Sequence, residues 1–74
     1  MKRTADINGI MRRAEHEICY FAKRAIEMYY EAWQEGAEHS DAGWDIFTLC
    51  AKHYCLKQWQ IEACQKLMKE FGME

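Results

Sequence analysis

The sequence predicts an all-α fold: a two-helix antiparallel hairpin that pairs with a second copy to make a four-helix bundle. Three observations carry that reading. The 74 residues include no proline and only four glycines, at 9, 36, 43 and 72, so the strong breakers fall near the start, the middle and the end. Between those breakers apolar residues recur at helical rather than alternating spacing. Half the chain is hydrophobic against 30% charged residues, a balance that favours a packed domain over disorder.

The first helix is expected to start behind Thr4 or Asp6 as N-cap and to end at Glu35, with Gly36 as the C′ residue. Ile7, Met11, Ala14, Ile18, Phe21, Ala25, Met28 and Ala32 are spaced alternately four and three apart, which is a heptad seam. Ala22, Ile26, Tyr29 and Trp33 widen it on one flank, as the interior of a bundle requires. The polar stretch 36–41 reads as the turn, with Ser40 or Asp41 available to cap a second helix from about Ala42 to Phe71, stopped by Gly72. Phe47, Cys50, Ala51 and Tyr54 form one apolar stripe and Ile61, Cys64, Leu67, Met68 and Phe71 another. Lys57 and Gln58 interrupt between them, so a kink is expected within residues 53–58.

The whole chain, 1–74, is then one helical-hairpin domain with helices roughly 40–45 Å long. Trp33, Trp44, Leu49, Leu56 and Trp59 fall outside the seam, and a second copy or a partner must cover them. Met11, Ile18, Phe21, Ala25, Met28, Trp59 and Leu67 are the expected oligomer core. Charge is distributed unevenly. Residues 1–24 carry six bases and three acids, whereas residues 25–48 carry six acids and no base. A homodimer is therefore expected to be antiparallel, laying each acidic tip beside the other chain's basic end.

The acidic tip is the leading candidate for function. Glu35, Glu38, Asp41 and Asp45, flanked by Tyr30, Trp33 and Trp44, combine negative charge with aromatic anchors and suit a protein partner with a basic surface. The alternative is an anion site for a nucleotide or RNA along the first helix, where Arg12, Arg13, His16, Tyr20, Lys23 and Arg24 interleave cations with an aromatic ring. A second alternative is structural zinc held by Cys19, Cys50, His53 and Cys55, because a Cys and a His three apart share a helical face. Catalysis has little to stand on: no glycine-rich phosphate loop and no Glu-x-x-His motif occurs, so the chain reads as a non-enzyme without a cofactor. No apolar run is long enough to cross a membrane, and no export signal is apparent. The four cysteines are accordingly expected to be reduced thiols in a cytoplasmic protein.

Overall fold

Each of the two long helical segments is interrupted once, so that the chain folds as α1 (Ile7–Glu17), α2 (Tyr20–Gln34), α3 (Asp41–His53) and α4 (Gln58–Glu70). The structure, a computed structural model, describes residues 4–36 and 41–73, with backbone alone at 41–44. The all-helical class holds throughout these residues. The long hairpin does not: in place of rods of 40 Å or more, the Cα atoms fill a body of 31 × 23 × 16 Å.

The first interruption was not expected. At Ile18–Cys19 the N–H groups of both residues donate to the carbonyl of Ala14, at 3.0 and 3.1 Å, which ends α1. Cys19 is then extended (φ −173°, ψ 169°) and serves as the N-cap of α2. Ile and Cys are indifferent helix formers, so little propensity is lost there. Much burial is gained, because the bend lets α1 fold back along α2 and place Ile10 and Ala14 in the core.

The second interruption falls inside the expected kink. Cys55 takes a left-handed conformation (φ 59°), its N–H donating to Lys52 O and that of Leu56 to Ala51 O, both at 3.0 Å. This is a Schellman end with a cysteine where glycine is usual. Gly72 (φ 80°) ends α4 in the same way, and Gly36 (φ 112°) follows α2. Both stops sit where the sequence placed them. The start of α1 also agrees: the Asp6 carboxylate accepts from the Gly9 N–H at 3.1 Å.

α2 is the central helix and packs against the other three. It contributes Ala22, Ala25, Ile26, Tyr29, Tyr30 and Trp33 to a core completed by Phe47 and Ala51 of α3 and by Ile61, Cys64, Leu67 and Met68 of α4. Two expectations are corrected here. Tyr30 and Trp33, read from the sequence as surface anchors for a partner, are 8% and 3% exposed; with α1 folded back they fill the chain's own interior. The Tyr30 hydroxyl reaches Ala5, donating to its carbonyl at 3.5 Å and accepting from its N–H at 3.4 Å. The expected oligomer core is divided. Ala25 and Leu67 lie in the chain's own core, Met11 and Ile18 are half-buried, and Phe21, Met28 and Trp59 face outward. Among the described residues no helix is long and apolar enough to cross a membrane.

Candidate interaction surface

The outer side of the α2–α3 pair gathers most of the apolar surface that this fold leaves uncovered. On α2, Phe21, Arg24, Met28, Glu31 and Glu35 are spaced 3, 4, 3 and 4 apart, and all five are exposed. That is a second heptad stripe, turned away from the core. On α3, Ile46, Leu49 and His53 share one face, with Asp45 and Lys52 beside Leu49, and these too are exposed. Leu49 is 69% exposed and Phe21 52%, with Tyr20 at 49%, Met28 at 39% and Ile46 at 37%.

Two ring pairs set the alignment of the helices. Phe21 stacks on Tyr54 with centroids 6.0 Å apart, and Tyr29 meets Phe47 edge-on at 5.6 Å. The helices therefore run antiparallel. Lys52 and His53 lie level with Phe21–Arg24, whereas Asp45 and Ile46 lie level with Met28–Glu31. One end of the strip is aromatic and basic, the middle is apolar and the other end is acidic.

At the basic end the aromatic rings hold the cations. Lys23 Nζ sits 4.5 Å from the centre of the Tyr20 ring, and Tyr20 packs edge-on against Phe21 at 5.5 Å. Arg24 donates to the Tyr20 hydroxyl at 3.5 Å and pairs with Glu27 at 3.6 Å. Hydrogen bonds to Tyr54 and Tyr20 raise the guanidinium's pKa further. His53 lies edge-on to Tyr54 at 4.9 Å. At the acidic end Glu35 and Asp45 are exposed, as the sequence suggested. Glu38 and the side chains of Asp41 and Trp44 lie outside the described residues.

The anion stripe proposed from the sequence is divided by the break at Cys19. Arg12, Arg13 and His16 stand on α1, and Tyr20, Lys23 and Arg24 on α2. Carboxylates already occupy Arg13, Lys23 and Arg24. Arg13 pairs with Glu17 at 2.5 Å and with Glu70 of α4 at 3.0 Å, and lies 5.8 Å from the centre of the Phe71 ring. Lys23 pairs with Glu15 at 2.5 Å. Hydrogen bonds from Arg13 and Lys23 hold the Glu17 and Glu15 carboxyls below their ordinary range. A shallow groove of about 190 Å³ between α1 and α4 is lined by the same Arg13, Glu17 and Glu70.

The residues proposed for zinc do not assemble. Cys50 is buried, while His53 and Cys55 are exposed. Cys19 Sγ accepts a hydrogen bond from Gln60 Nε2 at 3.6 Å. Among the described residues no group of three or more His, Cys, Asp or Glu could hold a metal ion. All four cysteines are free thiols. Burial raises the pKa of Cys50 and, with Cys19 nearby, pushes that of Cys64 up to about 12.

Ile46 is the apolar residue of this strip that the sequence reading missed, and Glu31 and Lys52 are the charged ones. The available signal was the spacing Ile46–Leu49–His53, hidden because Phe47 begins the stronger buried stripe one position later. No family model matches the chain, and comparison with curated proteins and with solved structures finds no match.

Proposed function

We propose that the chain is a non-enzymatic, homo-oligomeric helical protein that acts by binding another macromolecule, a regulator or inhibitor whose acidic end contacts a basic partner surface. The observation that supports this reading is the strip along α2 and α3: its exposed apolar middle suits self-association, and its acidic end, with Glu31, Glu35 and Asp45 exposed, suits a basic partner surface. Apolar area of this kind marks interaction sites on soluble domains, and a charged border confers partner choice and association rate. A cytoplasmic setting, in which the four thiols stay reduced, suits such a protein.

In the nucleotide or RNA alternative three of the four Lys and Arg side chains, Arg13, Lys23 and Arg24, already pair with Glu15, Glu17, Glu27 and Glu70, and it is the weaker reading for that reason. The zinc alternative would require α3 and the α1–α2 link to move together. A direct test uses two probes, a basic amphipathic lysine–leucine peptide and oligouridylate. Binding is expected to the peptide, to weaken with added salt, and to be abolished by Glu35→Lys with Glu38→Lys while the helical circular dichroism is kept. Binding to oligouridylate instead, lost in Arg12→Glu with Arg13→Glu, would replace this reading with the anion site.

A further inference from the structure

The geometry points to a second copy of this chain as the occupant of the α2–α3 strip, docked antiparallel about a two-fold axis through Met28 and Leu49. The inference rests on the reading above that the chain self-associates, and it names the face and the orientation. Its first support is area. Tyr20, Phe21, Met28, Ile46 and Leu49 together leave roughly 500 Å² of side chain uncovered, near the upper end for one patch on a soluble monomer. Two such strips face to face offer about 1,000 Å² of apolar surface to bury, and their charged borders add to it towards the roughly 1,200 Å² of a small specific interface.

Its second support is charge. Arg24 and Glu31 are seven residues apart on α2, and Asp45 and Lys52 are seven apart on α3. At about 1.5 Å per residue each pair spans about 10 Å. Because the helices are antiparallel, Arg24, which also pairs with Glu27 at 3.6 Å, lies with Lys52 and His53 at one end, and Glu31 and Asp45 lie at the other. A two-fold axis midway between the clusters, where Met28 and Leu49 lie, places each basic cluster on the other copy's acidic cluster twice over. Parallel stacking would instead place like on like. Paired bases and acids across an isologous interface select this orientation, while burial of the apolar middle holds it. Glu35 lies about 6 Å beyond Glu31 along α2. With Met28 at the axis it stands opposite Phe21 of the other copy, at the rim of the interface.

Leu49 is the most exposed of these apolar residues, so Leu49→Asp leaves the monomer's core untouched. In native mass spectrometry at tens of micromolar, the unmodified chain is expected at twice 8.9 kDa. Leu49→Asp is expected at the single mass with unchanged helical circular dichroism. Orientation is tested by charge reversal. Arg24→Glu with Lys52→Glu, and separately Glu31→Lys with Asp45→Lys, should each weaken the homodimer more than tenfold. An equimolar mixture of the two should form the heterodimer.

A dimer that survives Leu49→Asp would overturn the face, and a mixture without heterodimer would overturn the antiparallel orientation. An unmodified chain that stays at 8.9 kDa would overturn the assignment of the strip to a second copy. Dimer mass and binding of the lysine–leucine peptide are read separately on the unmodified chain, so failure of the interface is distinguishable from failure of partner binding.

Discussion

Cys55 is a residue whose identity opposes its backbone. A φ of 59° is left-handed, and an L side chain there costs about 1 kcal/mol more than glycine. Its thiol is exposed, so Cys55→Gly removes no core contact. The variant is expected to gain about 1 kcal/mol, a rise of roughly 4–8 °C in the thermal midpoint of a domain this small. Cys64 is the opposite case, fully buried with its pKa pushed up to about 12 from an ordinary 9.0. The folded chain therefore holds this proton more tightly than the unfolded chain does, so the stabilisation is complete below pH 9 and is lost as the pH rises from there towards 12. The thermal midpoint is expected to fall between pH 8 and pH 10, and to fall less in Cys64→Val. Alkylation followed by mass spectrometry should modify Cys55 first and Cys64 last.

At the scale of the helices, part of the fold was legible in the sequence and part was not. The caps were readable because each depends on one residue type: Asp6 before α1, Gly36 after α2 and Gly72 after α4. The second break was readable because Lys57 and Gln58 interrupt an apolar stripe. The break at Ile18–Cys19 was not, since no glycine or proline marks it and the spacing from Ile18 to Phe21 still counts as helical. That break decides the candidate site as well. By folding α1 back on α2 it buries Tyr30 and Trp33, which read as surface anchors, and leaves Phe21 and Met28 on the outside. Leu67, 5% exposed on α4, belongs to the chain's own core, and Leu67→Ala is expected to cost about 2–5 kcal/mol, measured by urea unfolding. Phe21→Asp, on the outer stripe, should leave the helices intact and remove self-association. Loss of most helical circular dichroism in that variant would return Phe21 to the core.

For the whole molecule, ion pairs trim stability and the apolar strip decides association. Arg13 and Lys23 hold the Glu17 and Glu15 carboxyls below their ordinary range, so those pairs stabilise the fold above that range and cease to do so as acid protonates them. Both carboxylates are solvent-exposed and their cations half-buried, and the effect on the thermal midpoint between pH 6 and pH 3 is expected to be modest and reduced by salt. Self-association should respond differently, since its energy comes from burying Phe21, Met28, Ile46 and Leu49 while its orientation comes from charge. The most direct test is sedimentation equilibrium of the unmodified chain beside Leu49→Asp across a hundredfold range of concentration. The expected result is a reversible dimer of twice 8.9 kDa for the first and a folded single chain for the second. Equal masses for the two at every concentration would contradict the assignment of the α2–α3 strip to a second copy.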